Sequence, residues 1–392
     1  MAYAPLMARI FLLAILLVTL SESLIVHWTG LAFRGGGFNW GAGSLVIFAI
    51  GALNMALFPV ARSRIHAKGL SLVLSRAWIL GSVAALLTGM MLATVYAVLY
   101  SGGWIFAAED ARDIGILWLG GFVVTLGLGS GLWGATVGNH RVRVDSLSFS
   151  LANFPSELAH IKLVHVTDLH IGPLLRSDRL ARFVARINEL EADLIVITGD
   201  IFDFSPDYIE VGCRELAKLK ASSGVYAVLG NHDHYTGTEE VAKGIAKFTS
   251  IRLLRDEWER VNVAGVSLVV AGLEDPQTIN WMEKTSESPV LERLAREIPP
   301  EHPSVLLAHR PSFFRQAERL GFPLVLSGHT HGGQIALPFA TNHNASRMIS
   351  DQTRGIYRQG DSTLYVNRGL GMAGLPLRLN CPREIALIRL TA

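Results

Sequence analysis

The residues able to do chemistry fall in short clusters, each closing an apolar run. "LVHVTDLH" ends in Asp168 and His170, and "LIVITGD" ends in Asp200. "YAVLGNHD" brings Asn231, His232 and Asp233, "SVLLAHR" brings His309, and "LVLSGHTHGG" brings His329 and His331. Asp168 and His170 are two residues apart and share a face of an extended segment, so both can reach one ion. Asp200 supplies a carboxylate able to bridge two ions, Asn231 a neutral amide oxygen, and the three histidines imidazole nitrogens. Such a set suits two adjacent divalent cations that share an anionic ligand. Glycines at 199, 230, 328, 332 and 333 permit tight turns around a crowded centre. Each cluster alone has a plainer explanation: "GNHD" as a turn, "GHTHGG" as a polar glycine loop, Asp233 as a capping or turn carboxylate. Their repetition at the ends of successive apolar runs favours a single site.

The elements that would position these groups are legible from Asn139 onward. "IKLVHVTDLH", "DLIVITGD", "GVYAVLGNHD", "VSLVVAGLED", "SVLLAHRP" and "PLVLSGHTHGG" read as buried strands with polar ends. Between them, "RSDRLARFVARINEL", "SPDYIEVGCRELAKLKA" and "TEEVAKGIAKF" carry helical periodicity, with Leu180, Phe183, Val184 and Ile187 on one face. Alternation of this kind predicts a layered α/β domain, in which functional groups gather at the carboxyl ends of strands.

These motifs, in this order, resemble those of the calcineurin-like metallophosphoesterases, over about residues 159–390. "THGGQIALP", "GLEDP", "NRGLG" and "LPLRLNCPREI" are similar to a bacterial, membrane-associated branch, which includes enzymes acting on phosphodiesters or UDP-diacylglucosamine. "CPREI" departs from the Pro-Glu often found there, outside the metal motifs. The resemblance implies a β-sandwich flanked by helices. It implies that Asp168, His170 and His331 hold one ion, that Asn231, His309 and His329 hold a second, and that Asp200 bridges them. It makes His232 the catalytic histidine, with Asp233 holding it in position. The ions expected are Mn, Fe or Zn, which imidazole-rich mixed sites suit better than Mg or Ca. The implied reaction is hydrolysis of a phosphodiester, phosphomonoester or pyrophosphate by a metal-activated hydroxide, with His232 protonating the leaving group. His234, His343, Arg310 and Arg368 could touch substrate or serve ordinary surface and ion-pair roles.

The first third has another composition. The 392-residue chain has a mean hydropathy of +0.35 and 17% charged residues, and its deficit of charge lies in residues 1–138. Four stretches have the length and apolarity of membrane spans: Arg9–Trp28, Ser44–Val60, Ala77–Tyr100 and Ile114–Val137. Glu22 lies within the first, facing a bundle interior or near the end of a shorter span. Arg9, the loop with Arg62, Arg64 and Lys68, and Arg141 with Arg143 fall on one side. Glu109, Asp110 and Asp113 fall on the other. Four spans then put both termini and the soluble domain on the cytoplasmic face of a bacterial inner membrane. The expected organisation is a transmembrane region over 1–138, a linker and first strand over 139–158, and the phosphoesterase domain over 159–392. The bilayer and a phosphoester substrate, in one reading lipid-linked, are the expected partners. A net charge of +2 gives no basis for nucleic-acid binding. Two cysteines, Cys213 and Cys381, allow one disulfide at most. A different class of function, a membrane sensor or adaptor that binds metal without turnover, shares every feature except a use for His232.

Overall fold

The computed structural model describes residues 4–34, 48–57, 70–101, 109–151, 155, 158, 161–263, 265–276, 284–374 and 376–391. The chain divides into two compact units, Met1–Val137 with Leu375–Leu377, and Gly138–Gly374 with Arg378–Ala392.

The first unit is helical: α1 (Ala4–Arg34), α2 (Phe48–Leu57), α3 (Leu70–Ser101) and α4 (Glu109–Trp133), which runs on through a π-helical turn at Gly134–Gly138. Its burial is inverted relative to a water-soluble bundle. Leu12, Leu16, Trp118 and Phe122 are exposed, while Ser21, Asn54 and Thr88 are buried. Small residues mark the helix crossings. A Cβ on Gly89 would fall 2.3 Å from that of Ser21, and one on Gly127 would fall 2.0 Å from the Thr88 hydroxyl. Asn54 donates to Glu22 at 2.6 Å, so this carboxylate has a polar partner within the helical unit. Of the four expected spans, two are long and apolar enough to cross a bilayer among the described residues, Ala77–Val98 and Leu117–Gly138. The other two are represented by shorter apolar helices, Ile15–Thr29 and Phe48–Leu57. The basic loop with Arg62, Arg64 and Lys68 lies outside the described residues, as do the ends of the stretch Ser44–Val60. Glu109, Asp110 and Asp113, expected in a loop, lie within the first five residues of α4.

The second unit is a mixed α/β domain of two six-stranded sheets. One has the order β1 (Val142–Ser150), β12 (Arg383–Thr391), β2 (Lys162–Val166), β3 (Leu194–Thr198), β4 (Val225–Val228), β5 (Arg252–Leu253). The other runs β10 (Gly355–Gln359), β11 (Ser362–Val366), β9 (Leu324–Ser327), β8 (Ser304–Ala308), β7 (Val266–Leu273), β6 (Glu257–Val263). Strand alternation builds the layers. Leu194 and Val196 of β3 join Val305 and Leu307 of β8 in the core between the sheets. Ile195 and Ile197 face outward to α5 (Ser177–Asn188), α6 (Ile209–Leu216) and α7 (Asn231–Phe248). Leu306 and Val325 face α8 (Pro289–Glu297) and α9 (Phe314–Arg319). Helix α5 docks through Leu180, Phe183, Val184 and Ile187, as its periodicity predicts, each worth about 1.5–3 kcal/mol of burial.

The stretch 139–158 is more than a linker. Strand β1 lies parallel to β12 in register from Val142 opposite Arg383 to Ser150 opposite Thr391, with Phe149 in the inter-sheet core and Val142 and Val144 on the helix side. Val142 with Val144, and Leu147 with Phe149, are spaced two apart, one pair for each face of the sheet. Cys213 and Cys381 are both buried free thiols, so the possible disulfide does not form.

Candidate metal centre

Every sequence-predicted donor lies just past the carboxyl end of a strand. Asp168 follows β2, Asp200 follows β3, Asn231 opens α7 after β4, His309 follows β8, and His329 and His331 follow β9. Backbone bonds carry the pairing beyond the strands. The Asp168 N–H donates to Gly199 O at 3.0 Å, His170 N–H to Asp200 O at 2.9 Å, and Gly328 N–H to His309 O at 3.0 Å. The first two lock the β2 and β3 loops together, and the third joins the β8 and β9 loops. Gly328 is where the two pairs of loops close, since a Cβ there would fall 2.1 Å from the Thr167 hydroxyl and 2.3 Å from an Asp168 carboxylate oxygen.

The backbone at the donors is strained. Asp168, His170, Asp200, His329 and His331 all have positive φ, between 46° and 70°. For residues with a Cβ this costs about 1–3 kcal/mol each, and it persists where surrounding structure over-determines it. The strain aims the side chains inward. His170 Nε2 is 3.0 Å from His331 Nε2 and 3.5 Å from Asp200 Oδ2, and His331 Nε2 is 3.3 Å from Asp168 Oδ1. On the other side, His309 Nε2 is 3.2 Å from the same Asp200 Oδ2 and 3.3 Å from His329 Nδ1. Asp200 is thus common to both groups, Asp168–His170–His331 and His309–His329, with each group's donor atoms within 4.8 Å of one another.

These residues fit divalent cations. Two imidazole nitrogens face each other at 3.0 Å in a buried site, an arrangement that a cation between the lone pairs would relieve. The buried Asn231 Oδ1 has no hydrogen-bond partner among the described residues, and an unpaired buried amide oxygen costs free energy unless a ligand takes it up. His309 Nδ1 is 2.8 Å from Thr198 O, an acceptor only, so Nδ1 holds a proton and Nε2 is turned to the centre. In the metal-free chain the charges lean on one another. Burial opposes a positive His309, yet Asp200 and Asp168 lift its pKa to about 10. Burial and then the positive charge of His309 hold His329 well below its ordinary value, and burial with His170 does the same to His331. Burial works to raise Asp200, but His309 and His232 beside it hold it well below the usual carboxylate range.

His232 stands at the edge of the first group, its ring 4.5 Å from that of His170 and nearly perpendicular to it. The expectation that Asp233 holds this ring is not met. Asp233 is fully buried and accepts from the backbone N–H groups of Ile201 at 3.0 Å, Phe202 at 2.9 Å and Gly230 at 2.9 Å. It is a capping carboxylate that ties the start of α7 to the loop after Asp200, and burial next to Asp200 pushes its pKa up to about 6. The carboxylate facing His232 is Asp203, whose Oδ1 lies 3.0 Å from His232 Nδ1 and 3.4 Å from His170 Nδ1. Asp203 lies outside the motifs that single out the other site residues. The signal available was "GDIFD", a second buried acid three residues after Asp200. Phe204 and Tyr235 were missed as well. They stack on each other at 5.6 Å, and each meets the His232 ring edge-on.

The uncertain residues resolve into structural roles. Arg368 pairs with Glu384 at 2.5 Å and with Asp145, and Arg310 makes a two-pronged buried pair with Asp275 at 2.6 and 3.1 Å. His234 Nε2 lies 2.6 Å from Asp275 O, and His343 is exposed. "NRGLG" is a brace: Leu370 N–H donates to Thr167 O at 3.1 Å and Gly371 N–H to Asp168 O at 2.6 Å.

The profile of the calcineurin-like phosphoesterase family matches residues 161–333, the span that holds all of these donors. An uncharacterised metallophosphoesterase of Aquifex aeolicus is 32% identical over 251 residues, 63% of this chain and 91% of the relative. The chain belongs to the calcineurin-like phosphoesterases. A bovine protein described as a transmembrane protein with metallophosphoesterase domain is 31% identical over 260 residues, 64% of this chain and 57% of that protein. An uncharacterised metallophosphoesterase of Campylobacter jejuni is 31% identical over 248 residues, 63% of each chain. The match with this phosphoesterase thus spans less than two thirds of the bovine and Campylobacter relatives.

Proposed function

We propose that the chain is a membrane-anchored phosphoesterase working with two divalent cations, of Mn, Fe or Zn, on a phosphodiester, phosphomonoester or pyrophosphate bond. The observation that carries the reading is Asp200 Oδ2, within 3.5 Å of His170 on one side and 3.2 Å of His309 on the other. Asp168, His170 and His331 would hold one ion and Asn231, His309 and His329 the second, with Asp200 shared. Bound there, the ions supply Lewis-acid polarisation of the phosphoryl group and a water acidified to near-neutral pKa. The chain's own contribution is alignment and proton delivery. Asp203 accepts from His232 Nδ1, which fixes the ring so that Nε2 can give a proton to the departing alkoxide. Phe204 and Tyr235 would flank that leaving group. Support for the anchor comes from two helices long and apolar enough to span, with only 28% and 22% of their residues buried, and from the bovine relative's description. Arg141 and Arg143 directly after the last span favour the cytoplasmic face.

The test is hydrolysis of bis-p-nitrophenyl phosphate by the Mn-loaded, detergent-solubilised chain. His232→Ala should lower turnover by about 100- to 10,000-fold while metal content stays the same. Turnover within twofold of wild type would remove His232 from the acid role. If the metal-loaded wild type hydrolyses no phosphoester, the chain is a metal-holding sensor or adaptor instead.

A further inference from the structure

A second charged cavity lies in the α/β unit, away from the metal donors, with a volume of about 420 Å³. Its lining includes Asn139, His140, Arg179, Arg182, Arg186 and Arg383, and Glu189 is its one acidic residue. The three arginines of α5 stand at i, i+3 and i+7, a single stripe that flanks Phe183 at the edge of the buried face. Their charge is poorly compensated. Arg182 is 3.6 Å from Asp178, whereas among the described residues no carboxylate lies within salt-bridge distance of Arg179, Arg186 or Arg383. Arg383 is fully buried, and its guanidinium is held by the Asn139 carbonyl at 2.7 Å, the Asn139 side chain at 2.6 Å, the Gly371 carbonyl at 3.1 Å and the Leu370 carbonyl. Arg179 Nη2 lies 2.8 Å from His140 Nε2. Burial lowers the pKa of both Arg179 and Arg383; Arg182 lowers Arg179 further while Asp178 opposes it, and Arg378 and Arg179 lower Arg383 further. Three arginines of one helix lining this cavity, over the buried Arg383 and with a single carboxylate in the lining, form a site for an anion.

The position in the chain says which anion. Asn139 follows directly on the apolar window Leu117–Gly138. If that window crosses a bilayer, the next residues lie at headgroup depth. We propose that this pocket binds the phosphate of an anionic phospholipid and seats the catalytic unit on the lipid surface. The inference rests on the membrane reading above but not on the phosphoesterase chemistry. Basic residues just beyond a span attract anionic lipid in this way, and each one neutralised should weaken binding about fivefold.

The experiment is native mass spectrometry of the full chain released from nanodiscs containing equal phosphatidylglycerol and phosphatidylcholine. Wild type should retain phosphatidylglycerol preferentially. The triple variant Arg179→Gln, Arg182→Gln, Arg186→Gln should lose the preference by about 100-fold. A variant with equal charge change elsewhere, Arg293→Gln, Arg296→Gln, Arg315→Gln, should keep it. No preference in wild type, or equal preference in both triple variants, overturns the inference. A second arm adds glycerol phosphate to the chain in neutral detergent. Saturable binding of it, abolished by the α5 variant and unaccompanied by lipid preference, would make the site one for a soluble phosphate and overturn the lipid assignment. Carbonate-resistant membrane association, measured on the same preparations, reads the anchor separately. Its loss in wild type would defeat the membrane reading, whereas retained association without lipid preference defeats only this one.

Discussion

Asp203→Asn separates the roles proposed for the two buried acids near His232. One oxygen of Asp203 faces two imidazoles, His232 Nδ1 at 3.0 Å and His170 Nδ1 at 3.4 Å. The amide keeps the size and one acceptor oxygen but loses the charge, and its NH2 group can only donate. A hydrogen bond involving an ionised partner contributes about 1.5–3 kcal/mol, which is roughly 10- to 150-fold in a rate or binding constant. The shorter contact, to His232, should account for most of the effect, and it should fall on kcat. The longer contact, to His170, should weaken metal binding by a smaller factor, because an Nδ1 that accepts from the amide would put the ring proton on Nε2, which faces the centre. The assay is bis-p-nitrophenyl phosphate turnover with metal content determined on the same sample, for Asp203→Asn, His232→Ala and the double variant. If Asp203 acts through His232, the double variant should be little slower than His232→Ala alone. Additive losses, or an Asp203→Asn enzyme within twofold of wild type, would refute the reasoning.

Asp233→Ala should behave differently, lowering the midpoint of thermal unfolding, because it strands three buried backbone N–H groups at about 1–3 kcal/mol each; an unchanged midpoint would contradict the capping role. Metal loading should release protons at pH 7, since His309 is charged up to about pH 10 in the metal-free chain and must be neutral at Nε2 to ligate. Apparent affinity should therefore rise with pH below 10, and calorimetry in buffers of different ionisation enthalpy would expose the opposite result as equal heats. Gly371→Ala should cost both metal and stability, because its Cβ would meet Leu169 O at 2.0 Å and Asp168 O at 2.4 Å; retention of full metal occupancy would show that the brace is dispensable. Both thiols should resist Ellman's reagent until the chain unfolds, Cys213 the more so with burial pushing its pKa up to about 12. Rapid reaction of either in the native protein would contradict their burial.

The layered fold was legible because its strands are short apolar runs that stop abruptly at polar residues, and its helices repeat with a clear period. The donors were legible for the same reason: Asp168, Asp200, Asn231, His309 and the histidine pair mark the places where burial ends. Support residues were harder to see. Asp203 and Asp233 are both acids near the motifs, and which of them meets His232 depends on how the β3 loop folds over the start of α7. Arg368 and Arg310 looked available for substrate, yet Arg368 pairs with Glu384 and Arg310 with Asp275. Such pairings join residues 16 and 35 positions apart and leave no local periodicity. Of the four apolar stretches read as spans, Ala77–Val98 and Leu117–Gly138 are long and apolar enough to cross a bilayer among the described residues.

The central claim is that this site needs two cations to cleave a phosphoester. The direct measurement is initial rate of bis-p-nitrophenyl phosphate hydrolysis as Mn is titrated into the chelator-treated full chain, with bound metal counted at each point. The account predicts little activity at one ion per chain and a plateau at two. Full activity at one ion per chain, or none at any loading, would contradict it.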